Sequence, residues 1–420
     1  MEDRQLSNAQ SADSPALVES LSHLMPGNPS HEKLMDVSCP GRESLLAILR
    51  NPDEMWGLSL KGWEVLIPQA RFAGIWPQLA AQVRRRGKQT DVPAPVWRQM
   101  EAALRVAEVH ANNYRWEVNQ LQQVFVDVPC PLILLKGVAF QYSDMPWSEG
   151  RSFQDIDILV PHGKLTEVES ALRRHGWVNS VESPLDAMYY RRWLQELPPM
   201  WHPERKVVVD IHHSIIRPRD YLRFDASPLF EDAVAVRAAA CTLSPVDMVL
   251  HAASNLFCTG EFNYLLRDLH DAYSMLEVFS KSPEFWSKLI SRAEQLNLVT
   301  PLYYALRYMR EIFNAQIPAD VSAAVERGRP GRLSLNFLDF LVRRTLFPNS
   351  LDQTDAGRNL ALKLREYWAV PRLGVLTTGL FWLKRLPKWL LVWLGLDTHE
   401  SAEKPAQFIL RQGPEDKMPV

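Results

Sequence analysis

Residues 131–160 read PLILLKGVAFQYSDMPWSEGRSFQDIDILV, and the order strand, turn, helix, loop, strand that they spell decides the fold. Leu132 to Leu135 form a short apolar run that stops at Lys136 and Gly137. In a second run Ile156, Ile158 and Val160 alternate with Asp155, Asp157 and Leu159. Successive side chains on a strand point to opposite faces, so Asp155 and Asp157 share one face about 7 Å apart while Ile156 and Ile158 enter a core. Two carboxylates so placed repel each other unless a cation sits between them.

Hard divalent ions such as Mg²⁺ take oxygen ligands and are held by one or two carboxylates plus substrate phosphates. A glycine after a strand lets the backbone approach a phosphate closely, and Lys136 beside it supplies positive charge. These parts suit phosphoryl or nucleotidyl transfer, to which a protein contributes mainly positioning and charge neutralisation. A third acid stands in KVVVDIHHSI, where a β-branched run from Val207 ends in Asp210. Three carboxylates on neighbouring strands can share one metal cluster. His212 and His213 follow Asp210, but adjacent strand residues face opposite ways, which makes them packing or outer-shell histidines rather than a zinc pair. Arg151, four residues before Asp155, has two readings, a phosphate contact or an ion pair with an aspartate.

LILLKG, RSFQDIDILV and VVVDIHHSI together resemble the pattern of an uncharacterised nucleotidyltransferase family within the DNA polymerase β superfamily. There a glycine-containing turn is followed by Asp-x-Asp and later by a third Asp. The resemblance implies an α+β fold: a polymerase-β-like nucleotidyltransferase core, a mixed sheet with helices, flanked by N-terminal and C-terminal helical regions. It implies that Asp155, Asp157 and Asp210 are the catalytic acids and bind the divalent metals, Mg²⁺ or Mn²⁺. It also implies that Lys136 and Gly137 lie near the phosphates of an NTP substrate, and on its phosphate reading Arg151 would join them. The superfamily usually has Gly-Ser or Gly-Gly at the turn, whereas here Val138 follows Gly137. The serine's phosphate contact must pass to Lys136 or to backbone amides, or go unmade.

Outward from this core, 420 residues imply two or three lobes, and 46% hydrophobic with 23% charged residues is an ordinary globular composition. A net charge of -2 argues against a surface that coats nucleic acid. Cys39, Cys130, Cys241 and Cys258 show no C-x-x-C spacing, which fits reduced, buried thiols. With no signal-peptide pattern and no stretch of 18 uncharged apolar residues, the expectation is a cytoplasmic protein.

In chain order the reading is a flexible leader over 1–40, an N-terminal helical region over 41–126, the core over 127–235, a helical lobe over 236–345, and a C-terminal region over 346–420. A long helix from Pro95 to Val126 is expected to bury Leu104, Val106, Val109, Tyr114, Val118 and Leu121. Ser244 is the expected cap of a helix starting at Pro245. In polymerase-β-like enzymes such a lobe closes over the nucleotide, and His251 with Arg267 and Asp268 stands where the resembling family also shows a His and an Asp-Leu. Residues 376–396 form an aromatic and basic amphipathic stretch that suits either protein packing or peripheral contact with the inner membrane surface.

The leading expectation is a Mg²⁺-dependent nucleotidyltransferase that moves a nucleoside monophosphate from an NTP to an acceptor hydroxyl and releases pyrophosphate. The alternatives are a catalytically degenerate nucleotide-binding module and a membrane-surface scaffold in a biosynthetic assembly. Small molecule, protein and RNA end all stay open as the acceptor.

Overall fold

The strands expected around the acids do pair with one another. A computed structural model describes residues 43–180, 187, 190–191, 196–216, 224–237, 239–259, 264–346 and 356–369. These all belong to one compact unit, Cys39–Val420. The leader, residues 376–396 and the tail lie outside the described residues.

Among the described residues four helices come first: α1 (Glu43–Arg50), α2 (Leu60–Phe72), α3 (Trp76–Arg85) and the 32-residue α4 (Ala94–Phe125). The sheet then takes shape from β1 (Leu132–Leu134), helix α5 (Lys136–Tyr142), β2 (Ile156–Leu159), α6 (Leu165–Arg174), β3 (Val178–Asn179), β4 (Met200–Trp201) and β5 (Val208–His212). Helix α7 (Ser227–Glu231), β6 (Val234–Arg237) and β7 (Ala240–Thr242) complete it. Helices α8 (Pro245–Ser254), α9 (Leu265–Phe279), α10 (Phe285–Gln295), α11 (Val299–Phe313), α12 (Ala319–Val325), α13 (Arg332–Leu346) and α14 (Ala356–Ala369) follow.

The seven strands lie in the order β3-β4-β5-β2-β1-β7-β6. β2 runs parallel to β5 and antiparallel to β1, while β1 runs parallel to β7. This is the mixed sheet with packed helices of an α+β fold. β1 and β2 sit at the centre and every residue in them is buried, which their apolar runs require. β5 alternates, with Val209 and Ile211 in the core and Val208, Asp210 and His212 on the other face. The sheet takes in Ala240–Thr242, so its membership extends past residue 235.

Helix α4 follows the expected span but not the whole expected stripe. Leu104, Val118 and Leu121 are buried, whereas Val106 and Val109 are 56% and 57% exposed. The inward line instead runs through Met100, Leu104, Ala107, Ala111 and Val118, at intervals that keep a helical period. Alanines carry it because α3 packs along this helix and presents the fully buried Ala80 and Ala81. The larger valines fall off that line. Farther along, Glu117 of α4 is buried and pairs with Arg205 at 2.9 Å, whose guanidinium lies 5.2 Å from the centre of the Trp177 ring. This fastens the long helix to the β4–β5 hairpin.

The helical lobe begins as the sequence demands. The Ser244 hydroxyl accepts from the Asp247 amide at 3.3 Å and Pro245 occupies the first turn. α8 runs on into a π-helical turn, Asn255–Thr259, and Phe257 there packs against both Tyr304 and Tyr308 of α11. Asp339 then ties α13 to α11 by accepting from Arg307 at 2.7 Å and from the Tyr308 hydroxyl at 2.6 Å.

The loop before β2 is wedged against the N-terminal helices. Gly150 adopts φ +78°, and a Cβ there would lie 2.4 Å from the Pro77 carbonyl oxygen. Gly150→Ala is expected to lower the free energy of unfolding by roughly 1–3 kcal/mol from backbone strain alone, with the clash adding to it. Urea denaturation measures this. An unchanged midpoint would mean that the loop lifts off α3 without loss.

Candidate functional site

Parallel pairing aligns Asp157 of β2 directly with Asp210 of β5. Neighbouring strands lie about 4.8 Å apart, so the two side chains stand side by side. Asp155 lies in the bend immediately before β2, close enough for its charge to act on Asp210. Asp155 and Asp157 line a cleft of about 1300 Å³ whose wall also includes Lys136, Gly137, Arg151, His251 and Arg267. Asp210 adjoins Asp157 without forming part of that wall among the described residues.

Asp157 is buried, and its Oδ1 accepts from Lys136 Nζ at 2.8 Å and from His212 Nε2 at 2.9 Å. His212 Nδ1 meets Glu196 Oε2 at 3.0 Å. Burial works against the charge of Asp157, yet Lys136 and His212 outweigh it and hold the carboxyl far below the usual range. Burial likewise opposes the His212 cation, but its bonds to Asp157 and Glu196 push the imidazole up to about 10. Asp210 goes the opposite way: burial, then the charges of Asp157 and Asp155, push it well above an ordinary carboxyl. One acid of the register pair is therefore ionised and the other tends to hold its proton.

The donor set suits a hard cation. Asp210 Oδ1 is buried with no hydrogen-bond partner, and both hydrogen bonds to Asp157 fall on Oδ1. An orphaned carboxylate oxygen beside an ionised carboxylate is what a divalent ion would satisfy. As arranged, no group of three or more His, Cys, Asp or Glu among the described residues is gathered for chelation. Asp157 is turned toward Lys136 and His212.

The turn around Lys136 has two conformational demands. Lys136 itself sits at φ 49°, a left-handed conformation that costs a non-glycine residue of order 1–3 kcal/mol. A Cβ on Gly137 would come within 2.9 Å of the Phe153 ring, so glycine is needed for packing as well as for any close approach by a ligand. Val138 is only 2% exposed, so the position where the resembling pattern has serine faces the interior. His251, across the cleft on α8, is kept neutral: burial, then the charges of Lys136 and His212, push it down to about 3.

Arg151 takes the ion-pair reading. Its Nε meets Asp271 Oδ2 at 2.6 Å and its second terminal nitrogen meets Asp268 Oδ1 at 3.1 Å, both acids on α9. A further donor bonds the Ser152 carbonyl. Gln78 of α3 donates to Asp271 Oδ1 at 3.3 Å, which joins the N-terminal helices to the same knot. Arg267 pairs with Asp268 at 2.8 Å and lies 4.2 Å from the centre of the Tyr264 ring. Tyr114 of α4 packs on Phe153 with ring centres 4.5 Å apart, and its hydroxyl is pushed above its ordinary range by burial and then by the charge of Asp155. The long helix thus forms the opposite wall.

Sequence reasoning separated His212 from His213 but did not join His212 to Asp157. The signal was present, since the period of two that divides the histidines also puts His212 on the face of Asp210. His213 packs instead on His162, ring centres 4.7 Å apart. Glu196 had no such signal, because it reaches β5 only through an isolated bridge to His212. No described helix is long and apolar enough to cross a membrane.

The sequence model of a family described as uncharacterised nucleotidyltransferase matches residues 59–314, more than half of the chain, from α2 through α11. No curated protein and no solved structure matches the chain.

Proposed function

The chain belongs to this nucleotidyltransferase family, and from that premise we propose that it moves a nucleoside monophosphate from an NTP to an acceptor hydroxyl. The acceptor oxygen attacks the α-phosphorus, the bond to the bridging oxygen of the β-phosphate breaks, and pyrophosphate leaves. The observation that carries this reading is the register of Asp157 against Asp210, with Asp210 Oδ1 unpartnered beside an ionised neighbour. Asp155, Asp157 and Asp210 would hold Mg²⁺ or Mn²⁺, which when bound neutralises phosphate charge and polarises the reacting phosphoryl group.

The remaining roles belong to the chain's own groups. Asp210, in its ionised form beside Asp157, is assigned to receive the acceptor's proton as well as to the cation. Lys136 is assigned to the triphosphate as a point charge, since the buried Val138 offers no hydroxyl. Arg151 is assigned to holding the lobe against the core, its donors being engaged by Asp268, Asp271 and Ser152.

Incubation with labelled NTPs and host lysate tests the reading directly. Label should move to protein, RNA or metabolite with release of pyrophosphate, and no transfer under any condition would overturn it. Lys136→Met should weaken binding of ATP with Mg²⁺ about tenfold or more, the size of a lost bond between charged groups, as calorimetry measures. Unchanged affinity would remove Lys136 from the phosphate site.

A second reading, a nucleotide-binding module without turnover, is favoured by Val138, which is buried where a serine is usual. Calorimetry would then record ATP binding while no pyrophosphate appears.

A further inference from the structure

We infer that His212 and Glu196 form a positioning pair that aims the Asp157 carboxylate; the inference rests on the reading of the three acids as cation ligands. A carboxylate has two oxygens in one plane, so a group that engages one of them fixes the direction of the other. His212 Nε2 reaches Asp157 Oδ1 at 2.9 Å, and the other hydrogen bond to the Asp157 carboxylate among the described residues, from Lys136, falls on the same oxygen. Oδ2 is left as the coordinating oxygen. Lys136 is a flexible chain that can leave; the imidazole is not.

His212 is held from behind. Its Nδ1 meets Glu196 Oε2 at 3.0 Å, so both ring nitrogens serve as donors and the ring plane is set from two ends. Glu196 in turn is hung on β5 itself. It forms an antiparallel bridge with His212, and the next amide, Leu197, donates to the Ile211 carbonyl at 2.8 Å. The line from Glu196 through His212 to Asp157 thus begins and ends on sheet backbone. His212 also lies two residues beyond Asp210 on one face of β5, so one strand supplies an acid of the set and orients its neighbour. Partners that orient a ligating carboxylate typically change metal affinity by about 10–100-fold when removed. Neither residue touches substrate in this assignment.

The probe is Mn²⁺ alone, titrated into the purified full-length chain with free ion read by electron paramagnetic resonance. The wild type should bind and Asp157→Asn should lose binding. His212→Ala should bind about 10–100-fold more weakly, read at a temperature where circular dichroism shows it folded, since losing a buried cation between two carboxylates lowers its melting temperature. His212→Gln, which keeps a donor at the position of Nε2, should stay within a few-fold of the wild type. Glu196→Ala, which leaves His212 in place, should show a smaller loss, and it carries the test if His212→Ala does not fold. Wild-type affinity in His212→Ala or Glu196→Ala, with Asp157→Asn still defective, would overturn the inference and leave the proposed function standing. Equal losses in His212→Gln and His212→Ala would also overturn it, because the ring's bulk rather than its donor would then matter. A wild-type chain that binds no Mn²⁺ would overturn the proposed function itself.

Discussion

Asp157→Asn is expected to abolish nucleotidyl transfer while leaving the fold in place. The side chain is nearly isosteric, so β2 keeps its pairing with β1 and β5, and the local change is the loss of one negative charge. That charge balances Lys136 at 2.8 Å and His212 at 2.9 Å and adjoins Asp210. Losing a charged cation ligand removes several kcal/mol of transition-state stabilisation, and each ~1.4 kcal/mol is tenfold in rate. The expected loss is therefore about a thousandfold or more, read as labelled nucleotide transferred, with circular dichroism as the control for folding. Full activity in a well-folded Asp157→Asn protein would remove the carboxylate from the chemistry.

Asp271→Ala is expected to damage the fold rather than the chemistry. The Arg151 and Asp271 side chains are 7% and 4% exposed, and their contact of 2.6 Å is flanked by Asp268 and Gln78. Removing one partner of a buried pair leaves a desolvated charge, which typically costs about 3–5 kcal/mol. Urea or thermal denaturation should register a loss of that size. Replacing both partners together, Arg151→Met with Asp271→Leu, should recover most of it, because two apolar groups leave no stranded charge. A loss below about 1 kcal/mol for Asp271→Ala, the scale of an exposed pair, would mean that Asp268 alone suffices for Arg151.

Much of the centre was legible in the sequence because its signals are local. The apolar runs of β1 and β2, the alternation in β5 and the cap at Ser244 depend on neighbours within a few residues. What could not be read depends on register across the sheet. Nothing near Asp210 states that it will align with Asp157 rather than with Asp155, since a slip of two residues preserves the face. The partners of Arg151 lie 117 and 120 residues away on α9, and Gln78 meets Asp271 across 193 residues. Val106 and Val109 are apolar and suit an inward stripe, but close helix packing selected Ala107 and Ala111 instead. Glu196 depends on where a short bridge happens to land on β5.

The knot of Gln78, Arg151, Asp268 and Asp271 bears on how the site is reached. It joins three parts of the cleft wall, the N-terminal helices, the loop before β2 and helix α9, through the buried Arg151–Asp271 pair, with Gln78 buried beside it and Asp268 partly exposed. Swinging α9 outward would drag a guanidinium off two carboxylates before any solvent could replace them, a barrier far higher than that of a loop hinge. The pocket therefore stands open in advance. Turnover should accordingly be insensitive to solvent viscosity, unlike that of an enzyme whose jaws must shut and reopen each cycle.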